Sequence, residues 1–314
     1  MKVLAGDLGG TKALLGIATI DPGQPPVFTH TRRLASADFS DCSALLSHFC
    51  AEAGDALQGA TQACLAVAGP ISADGRAVRF TNLPWQTDVA ALAAATGRPV
   101  KLVNDFAAVA AGVTVCAPDQ LVTLQAGAPL VGGSRLVIGA GTGLGVAAML
   151  GDGMTLRILP SEGGHVGFSP LDATQSRIHA ELLAIHGRVT AERVISGPGL
   201  RAIHQILAGQ DLGPAEIAQR ALANDREAQV TTDAFFSAYG AFAGDMAMTF
   251  LPRGGLYLAG GVTQRLLPLL ERSPFLRMFN AKDEHTALVV QIPVHILTDE
   301  AIGLSGAAIL ACLP

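Results

Sequence analysis

The feature that most constrains this chain occurs twice. Apolar runs at residues 3–5 and 13–18 flank Gly6-Asp7-Leu8-Gly9-Gly10-Thr11, and runs at 136–138 and 146–150 flank Gly139-Ala140-Gly141-Thr142-Gly143-Leu144-Gly145. A strand-length apolar run on each side of a glycine-rich turn reads as a hairpin, so one hairpin is expected in each of two related domains. Length agrees, since 314 residues at about 150 per domain make two. Between the hairpins the signals for helix and strand alternate, which indicates an α/β fold. The run at 100–103 leads into Asn104-Asp105 and an Ala-rich helix, placing Asp105 at a strand's carboxyl end, where open α/β sheets bind ligands. The apolar stretch 300–312 reads as a helix returning to the first domain. The expected division is residues 1–112 plus 300–314 against residues 113–299. No linker rich in Ser, Pro or charge intervenes, so the halves are expected to face a common cleft.

Composition narrows the function. The chain is 50% apolar and 15% charged, which supplies a large core and excludes a disordered chain. Its 21 basic and 26 acidic residues leave a net charge of −5, so no positive field exists to hold nucleic acid. Mean hydropathy is +0.40, yet the longest uncharged stretches are interrupted by Gly, Pro, Gln or Thr, and no spanning helix is expected. Asp7 arrives before any apolar stretch of signal-peptide length, so a cytoplasmic protein is expected. The five cysteines are scattered without a CxxC pair and read as small core residues, with no zinc site.

Glycine lets backbone N–H groups approach phosphate oxygens, so two such turns suit a nucleoside triphosphate. Neither turn is followed by GK[ST], and neither contains GxGxxG, which sets aside the Walker and dinucleotide motifs. Asp7 can hold hydrated Mg2+, and the Thr142 hydroxyl can donate to phosphate. Taken from the residues alone, Asn104 or Asp105 could instead cap the following helix. Glu192 could serve a helix start, His165 could be an ordinary hydrogen-bonded histidine or a metal ligand, and Asn82 could be a turn residue ahead of Pro84.

The series formed by residues 6–11, Asn104-Asp105-Phe106, residues 139–145, Glu162-Gly163-Gly164-His165 and residues 191–199 resembles, in that order, the bacterial glucokinase family. Leu258-Ala259-Gly260-Gly261-Val262 is similar to that family's adenosine-binding segment. The resemblance spans nearly the whole chain. It implies two related domains of the actin-like ATPase (ribonuclease H-like) type and ATP-dependent phosphorylation of glucose at its 6-hydroxyl. It further implies Asp105 as general base, and Asn82, Asn104, Asp105, Glu162, His165 and Glu192 as sugar ligands. Gly6, Asp7, Leu8, Gly9, Gly10, Thr11, Gly141, Thr142, Gly143, Gly260 and Gly261 would meet ATP, with Asp7 holding Mg2+ through water. A homodimer is also implied. Lys12 departs from the Asn common after Gly-Gly-Thr and resembles the ROK sugar kinases and repressors; it could add charge near the phosphates or point into solvent. The ROK cysteine cluster is absent, and only Met1 and Lys2 precede the first strand. The alternatives are a kinase for another hexose or amino sugar, and a nucleotide-dependent sugar sensor without catalysis.

Overall fold

The computed structural model describes residues 1–21, 24–81 and 83–313. The chain forms two compact units, one made of Met1–Pro118, Asp152–Pro160 and Asp299–Pro314, the other of Asp119–Gly151 and Ser161–Thr298.

The first unit is built on a five-stranded sheet in the order Val27–Ala35, Lys12–Thr19, Lys2–Leu8, Ala60–Val67, Val100–Asn104. The hairpin and its outer strand are antiparallel, whereas the last three strands run parallel. Ala60–Val67 ends in an unbroken buried run, as a strand covered on both faces should. Leu4, Leu8, Leu15, Ile17 and Leu65 share one core with Leu45, Leu46 and Phe49 of helix Cys42–Ala53. Asp41 starts that helix by accepting the Ala44 N–H at 2.8 Å.

The strands extend farther into the first glycine segment than the sequence predicts. Leu8 pairs with Ala13, so Gly6, Asp7 and Leu8 belong to the sheet and only residues 9–11 turn. Gly6 is there because Leu15 and Leu65 converge on it: a Cβ would lie 2.8 Å from a methyl of each. Strand pairing therefore dictates this glycine, and the turn does not.

In the second unit, Leu144–Leu150, Arg135–Ala140, Gly255–Ala259 and Val294–Leu297 lie side by side in that order. The hairpin is again antiparallel and the next two strands are again parallel to its first. The two sheets thus share a four-strand core of the same order and direction, and the repetition seen in the glycine segments is a repetition of topology. Leu121–Gln125 closes the far edge antiparallel to Val294–Leu297. Beneath this sheet the 25-residue helix Arg226–Phe250 buries Phe235, Phe236 and Tyr239 against Phe275 and Phe279. None of the helices formed by the described residues is long and apolar enough to cross a membrane.

Helix Ile302–Ala311 lies in the first unit against helix Asp105–Val113. Two glycines set the approach: a Cβ on Gly306 would overlap the Ala108 carbonyl, and one on Gly112 would overlap the Ile302 carbonyl. Both obstacles are backbone, so a side chain at either site forces the helices apart. Gly306→Ala is expected to cost about 1–3 kcal/mol through overpacking, read as a lower midpoint in urea denaturation followed by circular dichroism. A midpoint equal to the parent's would mean that the helices can separate without loss.

Candidate functional site

In the first unit the functional side chains gather at the carboxyl ends of the parallel strands. Asp7 pairs level with Ala66, and Ala66 with Val103, so Asp7 and Asp105 emerge at the same end of the sheet, two strands apart. Asp105 opens helix Asp105–Val113, but the cap is made by Asn104, whose Oδ1 accepts the N–H groups of Phe106 and Ala107 at 2.9 and 3.1 Å. Asp105 Oδ1 also accepts the Phe106 N–H, at 2.8 Å. The Asn104 oxygen is thus engaged by backbone, and its amide NH2 is the part suited to a ligand oxygen. Gly9, Gly10 and Thr11 form the turn, with Thr11 and Lys12 exposed. Gly9 N–H donates to the Lys12 carbonyl at 3.0 Å.

Three residues without a motif of their own hold this region. Ser36, almost fully buried, donates its hydroxyl to Gly9 O and its N–H to Thr11 O, both at 3.0 Å, pinning the turn from behind. Glu300 accepts from Arg33 at 3.0 Å and lies 3.5 Å from Lys12 Nζ. Of the two placements open to Lys12, the structure has it exposed and paired with this carboxylate. Gly303 faces Asp7, since a Cβ there would come within 2.5 Å of Asp7 Oδ2. No local sequence signal marks Ser36 or Glu300. The spacing Gly303-x-x-Gly306 in an apolar helix is the signal that could have revealed Gly303.

The second unit gathers the other set. Glu162 and His165 bracket a single 3-10 turn, and Glu192 lies in the four-residue helix Ala191–Val194. His165 lies between the two carboxylates: its Nε2 is 3.9 Å from Glu162 Oε2 and its Nδ1 is 4.0 Å from Glu192 Oε1. Both gaps exceed a hydrogen bond. Glu162 and His165 are exposed and Glu192 is half-buried. The other Glu192 oxygen, Oε2, accepts the Leu144 N–H at 2.9 Å, next to the glycine turn. That turn, with Thr142 exposed at its tip, is closed by Gly141 N–H on Gly143 O at 2.8 Å. It is also tied to the following helix by Gly197 N–H on Gly141 O at 2.8 Å. Gly260, at φ 95°, follows strand Gly255–Ala259 and packs against the Ala140 carbonyl where a Cβ could not fit, and Gly261 begins the next helix. Gly260 and Gly261 therefore adjoin the same turn. Asn82 lies outside the described residues.

The two sets differ electrostatically. Burial, and then the Asp105 charge, push the Asp7 carboxyl up to about 6, with Lys12 opposing the shift. Asp7 thus sits in a region short of positive charge. In the second unit the half-buried Glu192 carboxylate is instead met by a backbone donor. Among the described residues no group of three or more His, Cys, Asp or Glu is arranged to hold a metal ion.

Known proteins supply a context for this geometry. The family model described as Glucokinase matches residues 4–313. A glucokinase from a Nostoc species is 36% identical over 339 residues, covering 98% of each chain. Among solved structures, a glucokinase from an Antarctic psychrotroph superposes with a TM-score of 0.86 at 30% identity, again over 98% of each chain. A ROK family glucokinase from Streptomyces griseus, solved with glucose and AMPPNP, superposes with a TM-score of 0.65 at 20% identity over 99% of each, a likeness of fold.

The Asp7 shift makes a prediction about stability. Its folded value of about 6 lies above the ordinary 3.8, so the folded protein binds this proton more tightly than the unfolded chain does. The resulting stabilisation is fully present below about pH 4 and is lost as pH rises through about 6. At 1.36 kcal/mol per pH unit this is worth on the order of 3 kcal/mol. Asp7→Asn, neutral throughout, removes that slope. Thermal melts between pH 4 and 7 should show the parent falling relative to the variant, and parallel profiles would contradict the shift.

Proposed function

This chain belongs to the glucokinase family, and from that membership we propose that it transfers the γ-phosphoryl group of ATP to the 6-hydroxyl of glucose with Asp105 as general base. The full-length match supports the activity. For the base, the observation that carries the reading is that Asn104 makes the helix cap. The Asp105 carboxylate, at the carboxyl end of the sheet, is not required for that structural task. Phosphoryl transfer asks the protein chiefly for alignment and charge stabilisation, and a positioned base adds about 10² to 10⁴ in rate.

Each half of the ligand set has a task suited to its chemistry. A hexose offers several hydroxyls that both donate and accept, and Glu162, His165, Glu192 and the Asn104 amide provide partners of both kinds. The turns at Gly9, Gly10 and Thr11 and at Gly141, Thr142 and Gly143 direct backbone N–H groups and hydroxyls to the phosphates. Gly260 and Gly261 make room for the adenosine. The deficit of positive charge around Asp7 and Asp105 fits a hydrated divalent cation. Asp7 would hold Mg2+ through water, and the bound ion would neutralise triphosphate charge. The reading includes a homodimer, as the family resemblance implies, and a cytoplasmic location.

Asp105→Asn is expected to lower kcat by roughly two to four orders of magnitude. Glucose affinity should stay within a few fold and the fold should be kept, because Asn104 still caps the helix. The measurement is coupled ADP release across a panel of glucose, mannose, fructose and N-acetylglucosamine, with glucose preferred by the parent. A folded variant turning over at the parent rate would remove Asp105 from the base role.

A further inference from the structure

The Glu192 carboxylate is shared between two things that the proposed reaction must bring together. Its Oε2 is 2.9 Å from the Leu144 N–H, at the end of the glycine turn. Its Oε1 faces His165 Nδ1 across 4.0 Å, too far for a direct bond. The turn is shaped around this side chain: a Cβ on Gly143 would lie 2.5 Å from Oε2 and 3.3 Å from Cδ. A side chain at Gly143 would therefore push the Glu192 carboxylate away from the Leu144 N–H.

The backbone makes the connection stiff. Ala191 N–H donates to Val166 O at 2.9 Å, and Phe168 N–H to Val189 O at 3.0 Å, so the segments bearing Glu192 and His165 are bolted together. Three residues beyond the short helix Ala191–Val194, at the start of helix Gly197–Ala208, Gly197 N–H holds Gly141 O at 2.8 Å. The segment 191–197 is thus a bridge held at Ala191 to the His165 segment and at Gly197 to the glycine turn. A group that hydrogen-bonds Oε1 restrains the carboxylate, and through the charge-assisted bond to Leu144 it restrains the turn as well.

We propose that Glu192 is the positioning residue through which a bound hexose orders the phosphate-binding turn at residues 141–144, so that sugar and nucleotide strengthen each other's binding within the second unit. This rests on the reading of Glu192 and His165 as sugar ligands and of the turn as a phosphate loop. The coupling is reciprocal: the factor by which glucose tightens the nucleotide equals the factor by which the nucleotide tightens glucose.

The test measures AMPPNP binding to the full chain by calorimetry, with Mg2+ present, in the absence and presence of saturating glucose, and takes the ratio of the two dissociation constants. The parent is expected to give a ratio of about 5 or more, the low end of common coupling factors. Glu192→Ala should bring it to within twofold of 1. Glu192→Gln, which keeps an oxygen for the Leu144 N–H, should retain part of it, and this rescue is one that general loosening of the fold would not produce. Gly143→Ala removes none of the proposed sugar ligands but drives a methyl into Glu192 Oε2 and displaces that carboxylate; it should lose the ratio and weaken glucose binding as well. It also serves if Glu192→Ala does not fold. A parent ratio of 1, or a parent-like ratio in either alanine variant, overturns the coupling. Failure of the underlying sugar reading is seen separately, as glucose affinity unchanged in folded Glu192→Ala.

Discussion

The contact on which the first unit's chemistry depends is between two backbones. Helix Ile302–Ala311 and helix Asp105–Val113 touch through Gly306 and Gly112, where a Cβ would meet a carbonyl of the opposite helix. Because helix Asp105–Val113 begins with the residue proposed as the base, whatever fixes that helix fixes the carboxylate. The same closing helix brings Gly303 against Asp7 and sets Glu300 between Lys12 and Arg33. One close approach thus orients two carboxylates and one end of the glycine hairpin together. Close-packed interiors transmit small displacements rather than absorbing them, so this contact has effects well beyond its own area.

The two halves of the ligand set solve opposite electrostatic problems. Around Asp7 the protein supplies burial and a like charge, with only exposed Lys12 to oppose them, and the site is suited to receive positive charge from outside. Around Glu192 a backbone donor already satisfies one oxygen, which leaves a preorganised acceptor rather than an uncompensated charge. A phosphoryl donor bound to a cation and a neutral polyol need these two environments respectively. Preorganised donors and acceptors spare the cost of rearrangement at the moment of reaction.

Much of this is legible in the sequence, for identifiable reasons. The strand leading into Asn104-Asp105 stands out because an apolar run stops at a residue that caps helices, and the structure has both the strand and the Asn104 cap. The hairpins stand out because each glycine segment has apolar runs on both sides. The departure is local: Gly6-Asp7-Leu8 has the composition of a turn, yet Gly6 is required by Leu15 and Leu65, one nine residues and the other 59 residues away. Composition shows that a side chain is missing but not what occupies its place. Ser36 and Glu300 are invisible for the same reason, since their roles are defined by partners such as Gly9, Thr11 and Lys12 across the sheet or chain. Gly143 is legible as a phosphate-loop glycine, whereas its constraint by Glu192 exists only once the chain has folded.

The noncontiguous make-up of the first unit has a consequence for how the molecule comes into being. Residues Asp119–Gly151 and Ser161–Thr298 form the second unit, and helix Ile302–Ala311 is translated after all of them. Domains usually fold in the order in which they leave the ribosome, but here the earlier-made sheet must wait for its last helix while the later-made unit already has every strand of its own. Until then the face of helix Asp105–Val113 against which Ile302 and Gly306 pack has no lasting shelter. The nascent chain therefore carries this surface uncovered while residues 114–301, more than half of its length, are being made.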